Sequence, residues 1–294
     1  MKRLVLLAVF SLAACTSAGA VRDASPAIAA ELPADAPFRD EILRFAQLDR
    51  ETPPPACPVL FVGSSSIRLW STLKEDMAPL PVLNRGFGGS TIAQSNMYFD
   101  RIVSPYRPRA IVLYAGENDL DGGQSPDAVA TEFRRFLEMK RAKLGKTPVF
   151  YISAKPSKQR FGQLARQSEL NAAIRQLAAS SADLTFIDVV TSMLRDGQPQ
   201  DLYVEDGLHM NAAGYAIWRG LVRQSELNSA IRQLAASSTD LAFIDVVTPM
   251  LRDGQPQDLY VEDGLHMNAA GYAIWRGLVR DALARKKVER MRCR

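Results

Sequence analysis

Residues 167–223 of this 294-residue chain recur almost unchanged at 224–280. The two 57-residue blocks differ at four places, Ala172/Ser229, Ala182/Thr239, Thr185/Ala242 and Ser192/Pro249. Solenoid repeats need at least three units whose surfaces are adapted to stacking, so two near-copies read as a tandem duplication in which one block is surplus to a single core. With one block set aside, the chain from Phe38 onward keeps about 200 residues, enough for one α/β domain.

Within that length the apolar pattern changes period repeatedly. FRDEILRFAQLDRE carries Phe38, Ile42, Leu43, Phe45 and Leu48 at helical spacing. Five short apolar runs follow: PVLFVG (58–63), PVLNRG (81–86), AIVLYAG (110–116), PVFYISA (148–154) and LTFIDVV (184–190). Polar or Gly-rich residues follow each, and a helical stretch follows most. Near-continuous apolar strands separated by helices imply a parallel sheet covered on both faces. The expectation is an α/β fold with a flavodoxin-like, doubly wound parallel five-stranded sheet in the order 2-1-3-4-5. Sites in such sheets form outside the carboxyl ends of the strands, where strand order reverses. A sixth strand at Phe243–Val247 is expected if the second block joins the sheet.

Four polar stretches fall at that rim: GSSSIRLW (63–70), RGFGGSTI (85–92), GENDL (116–120) and, after a longer loop, DGLH (206–209). Serine is a poor nucleophile until a base takes its proton, and the base needs a third group to fix its tautomer. Ser65 sits at a strand-to-helix turn, where the helix dipole favours developing negative charge. Asp206 and His209, three residues apart, can present carboxylate and imidazole from one turn. An oxyanion needs donors aimed at it beforehand; the backbone N–H groups of Ser65 and Gly89 and the amide of Asn118 supply three. Each stretch alone has a plainer reading. GSSS caps helices, Asn118 or Asp119 can cap the next helix, GFGG is a flexible loop in many proteins, and a lone DGLH suits a metal or structural role. Arg68, Trp70, Phe87 and Tyr114 either line the cleft or pack the core. The conjunction of four stretches, each after a strand, favours a catalytic site.

The series FVGSSSI, NRGFGGST, GEND and DGLHMN resembles the four signature blocks of the SGNH hydrolase superfamily, also called GDSL esterases and lipases, over residues 56–223. The resemblance implies a flavodoxin-like fold with Ser65 as nucleophile. It implies Gly89 and Asn118 as oxyanion donors with the Ser65 amide, and an Asp/His pair as orienter and base. It also implies no metal or organic cofactor, and cleavage of carboxylic esters or thioesters through an acyl-enzyme. The substrate is then an ester of a small molecule, a lipid or an acylated glycan. Ser64 stands where the family usually carries Asp, which bears on how the loop is supported. Transfer of the acyl group to an acceptor hydroxyl is the alternative reaction. A catalytically impaired envelope binding protein is the alternative role.

The only two histidines, His209 and His266, each lie in a copy of DGLH, with Asp206 and Asp263 three residues before them. Chain order suits either pair. Parallel strands about 4.8 Å apart put the fifth strand roughly 14 Å from the first and a sixth near 19 Å, which favours His209. His209 also leaves an uninterrupted hydrolase domain at 37–223, with 224–280 as its duplicate. AGYAIWRGLVRQSELNSAIRQLAAS has no breaker, so a helix is expected to run through the junction. Only the second block, however, keeps the final helix with the tail DALARKKVER.

The start MKRLVLLAVFSLAAC has the layout of a secretory signal, with an apolar run too short to span a bilayer. LAAC (Leu12–Cys15) resembles the bacterial lipoprotein box, which implies loss of residues 1–14 and lipid attachment at Cys15. Thr16 after the cysteine points to the periplasmic side of the outer membrane. An ordinary cleaved signal is the other reading. Residues 15–36, rich in Ala, Pro, Ser and Asp, read as a flexible tether. The net charge of +4 is concentrated at the C-terminus, where residues 280–294 hold seven Arg or Lys. Without Lys2, Arg3 and that stretch the chain is net acidic, which argues against a nucleic-acid partner. The basic tail, 281–294, is either a solvated helix end or a contact for anionic lipid. Cys57 and Cys293 are candidates for a disulfide in an oxidising compartment.

Overall fold

The five apolar runs become β1 (Val59–Gly63), β2 (Val82–Gly86), β3 (Ala110–Tyr114), β4 (Val149–Ile152) and β5 (Leu184–Ile187). They pair in parallel in the order β2-β1-β3-β4-β5. The computed structural model describes residues 32–236, 244–246, 248–252, 255–259, 261 and 267–285. Around the sheet lie α1 (Arg39–Glu51), α2 (Ser65–Arg68), α3 (Ile92–Met97), α4 (Glu117–Asp121), α5 (Pro126–Leu144) and α6 (Leu164–Ala179). The helix α7 (Ala212–Ala236) runs through the junction of the two blocks, and α8 (Ala269–Arg285) follows in the second block.

Side chains alternate across a strand, so each strand feeds two cores. Leu60, Val62, Ile111, Leu113 and Tyr151 pack with Phe133 and Phe136 of α5 and Leu170 and Ile174 of α6. On the other face Phe61, Val112, Tyr114 and Ile152 pack with Trp70 and with Trp218 and Val222 of α7. Nearly all of these residues are fully buried, and each large apolar side chain so buried contributes roughly 1.5–3 kcal/mol. Block one is therefore structural as well as polar: α6 covers one face, β5 forms an edge and α7 covers the other.

Each block also closes a small hairpin, β6 (Leu194–Arg195) with β7 (Gln198–Pro199) and β8 (Leu251–Arg252) with β9 (Gln255–Pro256). Of the anticipated sixth strand, residues 244–246 are irregular and no described residue of block two joins the main sheet. Phe243 and Val247 lie outside the described residues, as do Cys15, Asp263, His266, Cys293 and the last nine positions. Among the described residues no helix is long and apolar enough to cross a membrane.

Candidate active site

The strand order reverses between β1 and β3, and the polar stretches gather at the carboxyl ends of these two strands. β1 ends at Gly63, where φ is 133° and an added Cβ would lie 1.9 Å from the Tyr114 carbonyl oxygen. Only glycine fits so close an approach. Ser64 N–H donates to the same carbonyl at 3.0 Å, and the chain turns at once into α2. Ser64 and Ser66 are buried, whereas Ser65 is half-exposed. This difference separates the three adjacent serines.

Ser65 Oγ lies 2.9 Å from Nε2 of His209, whose Nδ1 lies 2.5 Å from Asp206 Oδ2. The other Asp206 oxygen accepts the backbone N–H groups of Leu208 and His209, each at 2.8 Å. Burial pushes the Asp206 carboxyl up, but the bonds from the His209 ring and these two amides outweigh it and hold it at about 2. An ionised acceptor at Nδ1 puts the ring proton there and leaves Nε2 able to take the serine proton. The turn is braced by Gly207 N–H to Val204 O and Val204 N–H to His209 O, both 2.9 Å. Tyr215 of α7 donates to the Ser66 carbonyl at 3.0 Å, tying the imidazole's block to the serine's helix.

The loop after β2 is pinned residue by residue. Phe87 N–H donates to Gly63 O at 2.9 Å, and Gly88 N–H to Glu41 of α1 at 3.1 Å. Thr91 and Gln94 form a reciprocal capping box at α3. Ile92 N–H donates to both oxygens of Asp119, at 3.1 and 3.2 Å. Gly89 is left between these fixed points with φ 71° and open space beside it. Its N–H and that of Ser65 donate to no group among the described residues. The third candidate donor, Asn118, uses Nδ2 to hold Ser90 O at 3.0 Å while Oδ1 accepts from Arg160 at 2.9 Å. Such an arrangement can receive an oxyanion.

GEND thus divides its labour. Asp119 caps α3, which precedes it, rather than the next helix, and the long α5 takes Ser125 as its cap. Burial pushes the Asp119 carboxyl up to about 6. Glu117 accepts from the Tyr114 hydroxyl and pairs with Lys155 at 3.0 Å, both charges being almost fully buried. Removing one partner of a buried pair leaves an uncompensated charge. Trp70, Phe87 and Tyr114 are core residues, and Arg68 is exposed and paired with Glu41.

Glu41, Glu117, Lys155 and Arg160 escape a reading of the motifs. The contacts that tie them to the site, Glu41 to Gly88, Glu117 to Lys155 and Arg160 to Asn118, span 38 or more positions, and only the place of Glu117, Lys155 and Arg160 beyond apolar runs gave any signal. Asp206, His209, Ser65, Gly89 and Asn118 come to one rim of the sheet. Asp263 and His266 lie outside the described residues.

A doubly wound parallel sheet with serine, imidazole and carboxylate in one hydrogen-bonded line defines a serine hydrolase acting on esters. The chain belongs to the GDSL-like lipase/acylhydrolase family, whose model matches residues 62–217. A GDSL-like lipase from Bacteroides thetaiotaomicron shares the fold with a TM-score of 0.55 at 24% identity, over 63% of this chain and 96% of that one. A candidate acylhydrolase from Bacteroides fragilis does so with a TM-score of 0.55 at 24% identity, over 62% and 94%. Comparison with curated proteins gives no match.

Proposed function

We propose that this family member is an envelope-anchored esterase that cleaves a carboxylic ester or thioester through an acyl-enzyme on Ser65. The unbroken line Asp206–His209–Ser65 is the observation that carries the reading. His209 Nε2 takes the Ser65 proton as Oγ attacks the ester carbonyl. The oxyanion is met by the N–H groups of Ser65 and Gly89 and by Asn118 Nδ2. His209 then gives its proton to the leaving oxygen or sulfur, and the alcohol or thiol departs. Water repeats the cycle on the acyl-enzyme and releases the acid. The His209 side chain is 24% exposed and that of Asp206 48%. Water therefore has a way in for deacylation.

Anchoring is read from the N-terminus alone. Leu12–Cys15 after a short apolar run supports lipid attachment at Cys15, and Thr16 supports the outer membrane, periplasmic side. Several acyl chains hold a protein stably at a bilayer, at about 0.8 kcal/mol per buried methylene. Cys15→Ala should shift the protein from the membrane to the soluble fraction. For the chemistry, a fluorophosphonate probe should label the full chain and fail on Ser65→Ala. Well-folded wild-type protein that resists the probe would overturn the reading.

A further inference from the structure

The two blocks fold alike locally but bury different surfaces. Gln200 and Gln257 hold the carbonyls of Ser192 and Pro249 at 2.8 and 2.9 Å. Asn211 and Asn268 hold those of Asp201 and Asp258 at 3.2 and 3.1 Å. The pairs Arg175–Asp188 and Arg232–Asp245 close at 2.8 and 3.1 Å. Yet Leu170, Trp218 and Val222 are fully buried, whereas their counterparts Leu227, Trp275 and Val279 are 50%, 39% and 37% exposed. Tyr272, the counterpart of the half-buried Tyr215, is also exposed. Tyr272, Trp275 and Val279 form one stripe along α8, and an exposed aromatic stripe marks a docking surface.

The surface that fits this stripe belongs to the same molecule. Trp218 packs edge-on against Tyr114 at 4.6 Å and Trp70 at 6.0 Å, and Tyr215 lies 5.4 Å from Trp70. Arg219 pairs with Asp76 at 3.1 Å. Block two repeats these three α7 residues and Val222 as Tyr272, Trp275, Arg276 and Val279. None of the four differences between the blocks disturbs the fit. Ala172 and Ala182 are exposed, and Thr185 and Ser192 are half-buried. Pro249 corresponds to Ser192, within the single-turn helix Val190–Met193, and first-turn positions tolerate proline.

We infer that the second block competes for the groove of the first. In a minor register of the same chain, residues 224–280 pack on the core, residues 167–223 loop out, and His266 serves Ser65. This rests on the function proposed above. The described register leaves block two hanging from α7, whereas the other must close a loop of 57 residues. The closure cost rises as (3/2)RT ln n, so the probability of closing falls as the 3/2 power of loop length and the minor register is roughly 400-fold rarer.

The test is an ester assay on the full chain. Loss of a triad histidine with no substitute lowers kcat about 10⁶-fold. His209→Ala should instead retain on the order of one part in several hundred of wild-type activity, given that population. The double variant His209→Ala/His266→Ala should fall at least a thousandfold further, towards the level expected of a chain with no histidine base. Trp275→Ala should abolish the residue of activity in His209→Ala while leaving the chain with His209 intact near wild type. Equal activity of the single and double histidine variants would overturn the exchange, as would indifference of that residual activity to Trp275→Ala. Labelling of wild type but not Ser65→Ala keeps the proposed function standing in that event. A readout independent of activity is a short bismaleimide crosslinker on Asp76→Cys/Arg276→Cys, with Asp76→Cys/Arg219→Cys as the positive control. Slow intramolecular crosslinking is expected, and its absence on long exposure would also overturn the exchange.

Discussion

At the scale of single residues, Asp206 shows how hydrogen-bond donors set what a carboxyl does. Desolvation works against its charge, and three donated hydrogen bonds restore it, to a pKa of about 2. It therefore stays ionised throughout the range in which an imidazole titrates. The acid limb of kcat/KM should accordingly carry no ionisation from Asp206, and a second ionisation above pH 4 that persists in Asp119→Asn would contradict this. Asp206→Asn should lower kcat on the order of 10³- to 10⁴-fold, because the ring would then carry its proton on the wrong nitrogen. Arg160 acts at one remove, through Asn118. Without it the amide is held, among the described residues, only at Ser90 O. Arg160→Met should lower kcat about tenfold with KM little changed, a fraction of the 10²–10³ that a lost oxyanion donor costs. Unchanged kcat in steady-state kinetics would remove Arg160 from the positioning of that donor.

Among the elements, the segment linking β2 to α3 depends on a carboxylate from α4. Burial raises the Asp119 pKa to about 6, and the bond from Ile92 N–H offsets that only in part. An unfolded aspartate titrates near 3.9. The folded form therefore binds its proton more tightly, so this contribution to stability is complete below about pH 4 and is lost as pH rises through 6. The full swing is on the order of 3 kcal/mol for two pKa units. Asp119→Asn keeps an acceptor and removes the charge. Urea titrations should show wild type losing more stability than the variant between pH 4 and pH 7, and parallel curves would count against this. Asp119→Ala leaves the Ile92 N–H unsatisfied, which should cost about 1–3 kcal/mol and loosen Gly89, with kcat falling as well.

For the molecule as a whole, the groove under α7 joins the imidazole's block to the serine's helix. Everything the proposed chemistry uses lies between Ser65 and His209, and the apolar packing that holds α7 on the core ends at Val222, with Arg223 donating to Asp76 O just beyond it. A chain ending at Ala236 should keep most of its ester hydrolysis, as should His266→Ala. Loss of activity in either, with circular dichroism unchanged, would mean that block two supports the site in the main register.

Strand positions were legible because a buried parallel strand must be apolar on both sides, which leaves near-continuous runs such as AIVLYAG. Strand order and the placement of Ser65, Gly89, Asn118 and the Asp/His turn at one rim followed from chain connectivity and the four motifs. The helix through the junction was legible too, since WRGLVRQSELNSAIRQ holds no breaker. Other features depend on groups far apart in sequence, which no local pattern connects. The Glu117–Lys155 pair, the hold of Arg160 on Asn118 and the reach of Glu41 to Gly88 are of this kind. So is the turn of Asp119 back to α3. Local pattern alone was enough for the sheet, the candidate reacting groups and two identical DGLH stretches, each with a candidate base. Which base meets Ser65 was decided in tertiary structure, because identical residues differ there only in what they can bury: Trp218 reaches Trp70 and Tyr114, and Trp275 remains exposed on α8.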